Sequence, residues 1–266
     1  MAAVTYDSRE TLEDFAIRKG IDYPLLADPT TETIRRWNLL DPDASTNNIV
    51  SGAAPNVAYP GYFVLDPAGI VRERFVDGRY DDRRTANGVF ASLFPEWLAR
   101  ESRAVPAQHL ELALSQSDRD VVPGSLFTLA VELTLPQGVH VYARDASGVR
   151  PLELALKPSP WLDVSPAQHP PSKTLHMEGL AEEIPIHEGR VPIRSEVHLK
   201  VTSELANALA KAPDGTLKIT VEGVLRYQAC DESQCFPPCE VPLSWELTVH
   251  ALDLERTDPS LRKPAK

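Results

Sequence analysis

Tyr227-Gln228-Ala229-Cys230-Asp231-Glu232-Ser233-Gln234-Cys235-Phe236-Pro237-Pro238-Cys239 carries all three cysteines of a 266-residue chain within ten positions. The runs on either side, Thr216 to Tyr227 and Glu240 to Val249, alternate apolar and polar residues and read as β-strands. The cysteines therefore sit at a hairpin tip, where Cys-x4-Cys brings two thiols close enough to close a small local disulfide. Phe236 and the stiff Pro237-Pro238 pair hold the second thiol in a defined backbone path. Inert buried thiols are common, but scattered cysteines would suit that reading better than three on one loop. Zinc is a third reading, with Cys230, Cys235, Cys239 and a distant histidine as ligands, although the usual Cys-x2-Cys knuckle is absent. Redox chemistry fits the spacing best.

The bulk composition narrows the function classes. At 42% hydrophobic and 24% charged residues the chain is an ordinary globular one. Its net charge of −11 argues against a nucleic-acid partner or an anionic membrane surface. Twenty-four prolines point to loop-rich β architecture in part of the chain. No apolar run reaches the roughly 18 residues of a spanning helix, so no membrane insertion is expected. The start, Met1-Ala-Ala-Val-Thr-Tyr-Asp7, has neither a basic nor an apolar segment, so no secretory signal is expected either. A working disulfide suits an oxidising compartment, and these two hints about location point in different directions.

In chain order, Ala3 to Tyr6 reads as a short strand. A helix follows, capped by Asp7 or Ser8, with Leu12, Phe15 and Ala16 at helical spacing and Gly20 ending it. A second helix spans about Thr30 to Trp37, and residues 41 to 58 read as a loop. Gly61 to Asp66, the Pro67-Ala68-Gly69 turn and Ile70 to Val76 form a hairpin. A closing helix runs from about Asp82 to Glu101, divided or kinked at Pro95. From His109 the texture changes to short strands broken by Pro and Gly: His109 to Ser115, Ser125 to Leu135, Val139 to Tyr142, Pro151 to Lys157, Val191 to Val201, and the two flanking the cysteines. Seven such strands argue for a β-sandwich, with one short helix at Ser203 to Lys211. The expected division is 1–103, a linker at 104–108 around Pro106, 109–253, and a polar tail at 254–266, expected to be disordered from Arg256 to Lys266.

Tyr227-Gln228-x-Cys230-x4-Cys235-Phe236-Pro237-Pro238 resembles the active-site loop of the DsbD N-terminal domain family, the immunoglobulin-like thiol–disulfide module of bacterial disulfide reductases. The weaker likeness around it covers about residues 108 to 252. The resemblance implies Cys235 as the thiol that exchanges with a partner and Cys230 as the one that resolves the mixed disulfide. Cys239 lies outside the family's pair and leaves open which disulfide forms. Gly138-Val-His140-Val-Tyr142 is similar to a family strand whose aromatic residue lies near the cysteines, which makes Tyr142 a supporting residue. The stretch His176-Met177-Glu178-Gly179-Leu180 falls where the family has a cap loop, with Met177 or Leu175 in place of its aromatic cap. Tyr227, Phe236 and Pro237 belong to the same supporting set. No cofactor and no metal are expected. It implies a thioredoxin-like protein or a membrane electron donor as partner, and a periplasmic setting.

A second resemblance covers about residues 2 to 95. Val4-Thr-Tyr-Asp-Ser8, the run Gly20-Ile-Asp-Tyr-Pro-Leu-Leu-Ala-Asp-Pro29 and Tyr59-Pro60-Gly61-Tyr-Phe-Val-Leu-Asp66 are similar to the peroxiredoxin (AhpC/TSA) branch of the thioredoxin superfamily. In that superfamily the proline at the position of Pro60 is cis and lies beside the redox cysteine. The redox cysteine itself belongs to a βα unit that would precede Ala3, and residues 1 to 229 contain no cysteine. The expectation is a chain that starts downstream of the complete domain, or a domain that has become a scaffold. Its sheet would lack the central strand and leave apolar edges to be covered. The fold class expected is thus α/β followed by all-β, an incomplete thioredoxin-like domain and an immunoglobulin-like β-sandwich.

The remaining motifs are weak. The histidines His109, His140, His169, His176, His187, His198 and His250 show no His-x-His or His-x3-His pair. Asp81-Asp82 and Glu182-Glu183 read as solvated charge, and no phosphate loop, Gly-x-Ser-x-Gly or His-Glu-x-x-His is present. Three functions remain: a thiol–disulfide exchange module, a peroxiredoxin-like antioxidant protein lacking its catalytic cysteine, and a non-enzymatic interaction protein with a structural disulfide. The second makes a testable prediction. Peroxide chemistry needs an activated thiolate, and only the hairpin offers thiols. Hydroperoxide consumption with a thiol donor should therefore stay at background. Turnover that survives a Cys230→Ser, Cys235→Ser double substitution would refute this.

Overall fold

The computed structural model describes residues 1–40, 58–78, 82–176, 183–253, 255 and 258–261. The chain divides into two compact units, 1–83 with 253–266, and 84–252.

In the first unit the strands Ala3–Thr5 and Leu25–Ala27 pair in parallel across the helix Arg9–Lys19. Ser8 is the cap: its hydroxyl accepts the Thr11 N–H at 3.2 Å. Gly20 ends the helix at φ 61°, a left-handed turn that costs a residue without Cβ nothing. Asp28, itself buried, starts the next helix, Glu32–Arg36, by accepting the N–H groups of Glu32 and Ile34 at 3.0 Å. The strands Gly61–Leu65 and Val71–Val76 form the expected hairpin, turned at Asp66 to Gly69. The Asp66 carboxylate accepts from Ala68 and Ile70, which draws its pKa below the usual carboxylate range, the Ile70 N–H most strongly. Trp37 meets Phe63 edge to face at 4.6 Å and ties the second helix to this hairpin. The parallel pair and the hairpin are separate two-stranded sheets, as expected for a thioredoxin-like unit without a central strand.

Two features of this region differ from the sequence reading. The Tyr59–Pro60 peptide is trans, as are all described peptides. Trans is the ordinary preference of an X-Pro bond by about 0.5–1 kcal/mol, and the Pro60 carbonyl accepts the Asp77 N–H at 3.0 Å in extending the hairpin. The tail expected to be disordered is partly structured. Lys19 binds Asp253 and Glu255, and the Thr11 hydroxyl donates to the Leu261 carbonyl at 3.1 Å, beside a single 3-10 turn at Pro259–Leu261.

The second unit is a β-sandwich. One sheet orders Leu162–Val164, Arg190–Leu199, Ser125–Thr134, Glu111–Gln116 and Arg103–Val105. The other orders Glu153–Leu156, Thr216–Tyr227, Cys239–His250 and Asp120–Val121. Alternation decides which side chains enter the core: Val191, Ile193, Val197 and Leu199 from the first sheet meet Leu225, Val241, Leu243, Leu247 and Val249 from the second. Each such side chain contributes about 1.5–3 kcal/mol on burial. Trp245, also buried, donates its indole N–H to the Ser115 carbonyl at 3.1 Å. The helix Ser203–Lys211 docks Leu205 and Leu209 on this core.

Every strand expected from His109 onward overlaps an observed one. Lys173–His176 and Glu183–Glu188 were not expected as strands, because Pro185 interrupts the second and charged residues sit at their ends. They pair with each other and continue through His140–Tyr142 to Ala229–Cys230 as a third sheet. The compact unit also begins upstream of the linker expected at 104–108, whose first residues belong to the strand Arg103–Val105. The closing helix is divided at Pro95, as expected, into Ala86–Leu93 and Pro95–Ala99. Both pieces sit with the sandwich rather than with the first unit. Ala91 and Leu98 pack on Ala130, and Thr85 and Asn87 bond the Asp118 carboxylate.

Buried histidines give this unit a pH dependence. His187 is buried on the strand Glu183–Glu188, and its ring stacks on that of His169 at 6.3 Å. Burial lowers the pKa of both. The His187 and Arg144 charges lower His169 further, whereas Asp145 partly opposes the shift at His187. Folded-state values below the free value mean that the unfolded chain binds more protons as pH falls below about 6.5. The stability these neutral rings contribute is present above that pH and is lost on acidification through their folded values. Denaturant midpoints should fall from pH 7 to pH 5, and His187→Gln should flatten that slope. An unchanged slope in the variant would contradict the assignment.

Candidate functional site

The site is built by one long ribbon. Thr216–Tyr227 pairs with Cys239–His250 along its whole length, and the last pair, Tyr227 opposite Cys239, fixes where the loop departs. Within the loop, Phe236 donates its N–H to the Ala229 carbonyl at 2.9 Å, and Gln228 donates its amide to the Phe236 carbonyl at 3.0 Å. Asp231 closes the tip. Its carboxylate accepts the Ser233 hydroxyl and N–H and the Gln234 N–H, at 2.7–2.8 Å. Those bonds, the Ser233 side chain's first, hold its pKa below the usual range, and the His109 charge adds to the effect. This is an Asx turn, the physical reason for an Asp-x-Ser-Gln spacing between two cysteines.

The turn brings Cys230 and Cys235 into a disulfide, with sulfurs 2.07 Å apart and Cα atoms 4.0 Å apart. The two halves of the bond differ. Cys230 is 1% exposed and lies among Tyr142, Ala146 and Ile186, whereas Cys235 is exposed. Tyr142 reaches both: its hydroxyl is 3.2 Å from the Cys235 sulfur and 3.4 Å from that of Cys230. With both sulfurs oxidised, the hydroxyl is the donor in each contact. Tyr142 is aimed this way by pairing. His140–Tyr142 runs antiparallel to Ala229–Cys230, with His140 opposite Cys230. On its other side it pairs with Glu183–Glu188.

The remaining expected residues fall in different places. Tyr227 is fully buried and does not serve the sulfurs directly. Its hydroxyl donates to the Gln108 carbonyl at 2.8 Å and accepts the Gln108 N–H at 3.1 Å. Burial pushes this phenol up to about 12, against the Gln108 backbone bond and with a further push from Cys239. Cys239 is a free thiol, partly exposed, with its S–H near the Pro237 carbonyl at 3.5 Å and the Gln108 side-chain oxygen at 3.8 Å. Phe236 is partly buried against the core, and Pro237 and Pro238 are exposed. Met177 lies outside the described residues, between the paired strands Lys173–His176 and Glu183–Glu188; Leu175, on the first of them, packs on the cluster around Cys230. Pro60 belongs to the first unit and the cysteines to the second. Among the described residues no three His, Cys, Asp or Glu side chains converge as metal ligands.

Two residues at the site were not singled out from the sequence. His140 faces Cys230 across the strand pair, and burial lowers its pKa against the pull of Glu188 and Asp231. His109 lays its ring flat on Phe236, with centroids 3.8 Å apart and planes 8° from parallel. Both contacts are made by chain segments far apart in sequence, so local spacing could not disclose them.

Comparison with known proteins agrees with both resemblances. Residues 1–74 match the AhpC/TSA family, and residues 112–241 match the family described as thiol:disulfide interchange protein DsbD, N-terminal. The C-terminal part of the chain is thus similar to DsbD N-terminal domains and the N-terminal part to AhpC/TSA proteins. Similar solved structures include the N-terminal periplasmic domain of ScsB from Proteus mirabilis, at 17% identity and TM-score 0.34, covering 56% of this chain and 49% of that one. Another is the Neisseria meningitidis DsbD N-terminal domain in the reduced form, at 14% identity and TM-score 0.30, covering 44% and 74%. The chain spans about half the length of the ScsB domain. No curated protein matches the sequence significantly.

The Tyr142 contact yields a prediction. When the disulfide opens, negative charge appears on a sulfur, and a hydrogen bond to a charged group is worth about 1.5–3 kcal/mol. Tyr142→Phe should keep the fold and slow reduction of the disulfide by dithiothreitol by roughly tenfold or more. An unchanged rate would make the hydroxyl a bystander.

Proposed function

We propose that the second unit is a thiol–disulfide exchange module in which Cys230 and Cys235 cycle between dithiol and disulfide. The observation that carries this reading is the asymmetry of the bond: an exposed Cys235 sulfur joined to a buried Cys230 sulfur, with one hydroxyl touching both. The similarity of residues 112–241 to DsbD N-terminal domains supports it.

The chemistry follows from access. A partner thiolate attacks the disulfide sulfur it can reach, that of Cys235, in line with the S–S bond. A new bond forms between the partner sulfur and Cys235 Sγ, and the bond to Cys230 breaks. The electron pair leaves on Cys230 Sγ, which then takes up a proton. Burial disfavours a thiolate there, and the Tyr142 hydroxyl offsets that cost by donating to it. The partner's second thiol then gives up its proton, attacks its own half of the mixed disulfide and releases Cys235 as a thiolate, which takes up the second proton. Two electrons and two protons have moved from the partner dithiol to this chain. The same steps run backwards when the partner is the more oxidising couple.

The loop that opens is short, with a sequence separation of 5 between the cysteines. In the chain-entropy picture so small a loop contributes less than about 3 kcal/mol. The sandwich core around Leu225, Val241 and Trp245 is continuous without it, so the bond opens without unfolding the unit. A partner with two thiols in one exposed motif, a thioredoxin-like protein or a membrane electron donor, fits this chemistry. The AhpC/TSA-like first unit holds no cysteine and takes no part in the sulfur transfer.

Single Cys→Ser substitutions test the reading. Cys230→Ser leaves Cys235 without its resolving partner and should accumulate a mixed disulfide with a thioredoxin-like protein, seen on non-reducing gels. Cys235→Ser should accumulate none. Trapping through Cys239, or failure of every variant to trap, would overturn the assignment.

A further inference from the structure

We propose that His140 is the proton partner of Cys230: its imidazole takes the thiol proton when the buried sulfur attacks and returns it when that sulfur leaves. The inference rests on the exchange reading above and adds the route of the proton, to which that reading assigns no residue.

Strand register carries the argument. His140 stands directly opposite Cys230 on one side and Glu188 on the other, and Cys230 is bridged in turn to Cys235. Directly opposed residues of an antiparallel pair turn their side chains to the same face, with Cβ atoms about 4.5–5.5 Å apart. Glu188, His140, Cys230 and Cys235 therefore form one row across the strands. Tyr142, two residues along from His140 and on the same face, meets the imidazole edge to face with centroids 5.8 Å apart. A carboxylate, an imidazole and a thiol in that order hold a base beside a nucleophile.

The burial of Cys230 creates the need. At 1% exposure its sulfur is cut off from water, and Tyr142, Ala146 and Ile186 surround it. The Tyr142 hydroxyl donates to that sulfur but has no basic atom to keep a thiol proton. His140 is half-buried, so part of its ring is open to solvent. Burial lowers its pKa against the pull of Glu188 and Asp231, which leaves the ring neutral near pH 7 and able to accept a proton. Once protonated, it is faced by those two carboxylates. Lys173 pairs with Glu188 at 2.9 Å, and Ser233, Gln234 and the His109 charge attend Asp231.

The step balances. With Cys235 bonded to the partner, Cys230 is no longer tied to it and can turn to the imidazole, directly or through one water. Cys230 Sγ–H gives its proton to the ring, and the thiolate attacks Cys235 Sγ. The Cys230–Cys235 bond forms and the bond from Cys235 to the partner breaks. The electron pair leaves on the partner sulfur, which takes a proton from water, while the imidazolium returns its own to water. In the opposite direction the imidazolium protonates Cys230 Sγ as that sulfur leaves.

The test isolates the Cys230 step. The reduced full chain, carrying Cys239→Ser so that only the pair reacts, is mixed with one equivalent of dithiobis(nitrobenzoate). Attack by Cys235 releases one nitrothiobenzoate, and resolution by Cys230 releases the second. With His140 present the second rate should level off between about pH 7 and 8 and fall only below about pH 6.5, as the ring is protonated. In His140→Gln it should instead fall roughly tenfold per pH unit through the same range, the slope of a thiolate without a base, and be roughly tenfold or more slower at pH 7. The first release should stay within about twofold of its rate with His140. A second release with no plateau in the presence of His140 would overturn the proposal without any variant. So would a plateau that survives in His140→Gln, or an equal loss of both phases. If the second nitrothiobenzoate never leaves, the exchange reading itself fails and this proposal falls with it.

Discussion

The antiparallel pairing of Thr216–Tyr227 with Cys239–His250 is the constraint from which the site follows. Its register is fixed because one face is buried: slipping by one residue would turn Leu225, Val241, Leu243 and Leu247 to water and their polar neighbours into the core. With register fixed, the pair Tyr227 and Cys239 marks where the ribbon opens, and the residues between have only one short path across. The Asp231 turn folds that path back, which leaves Cys230 on the inner side and Cys235 on the outer. The difference in exposure between the two sulfurs is thus set by the sandwich core.

Much of this was legible in the sequence, and the limits have physical causes. The hairpin, the clustered thiols and the long alternating strands announce themselves because strand alternation and turn chemistry are local. The capped helix at Ser8 and the Asp66–Gly69 turn were legible for the same reason. The helices around Pro95 were also visible as helices. Their partner was not, because the small faces of Ala91 and Leu98 fit any apolar strand, and which strand they meet is a tertiary fact. The strands Lys173–His176 and Glu183–Glu188 escaped because Pro185 breaks the pattern. They form because His140–Tyr142 offers a free edge to pair with.

The site shows the same division. Cys230, Cys235, Phe236 and the proline pair were evident from spacing, and the likeness to DsbD N-terminal domains pointed to Tyr142. The contacts of His109 and Gln108 were invisible, lying where the linker was expected to end and the first strand to begin. Tyr227, expected among the supporting residues, has a different place in the fold. Its aromatic ring belongs to the core, and its hydroxyl is spent on the Gln108 backbone instead of the sulfurs. Pro60 shows the reverse. Its sequence context matches a superfamily position, yet the peptide is trans, and the cysteines of this chain belong to the other unit.

The two units solve the problem of buried surface differently, and this bears on which can carry chemistry. The sandwich encloses a continuous core of aliphatic side chains, so a small disulfide at its rim can open without loss of the fold. Among the described residues the first unit has two separate two-stranded sheets and leaves Val4, Ile17, Leu26 and Ile70 more than 40% exposed. Isolated two-stranded sheets are marginal in water without a packed face. The hairpin loop is held differently: its Phe236 N–H ends on Ala229, in a strand of the second unit, and Gln228 and Asp231 fix the rest of its path. The disulfide lies at the rim of that packed core, and the unequal burial of Cys230 and Cys235 follows from it.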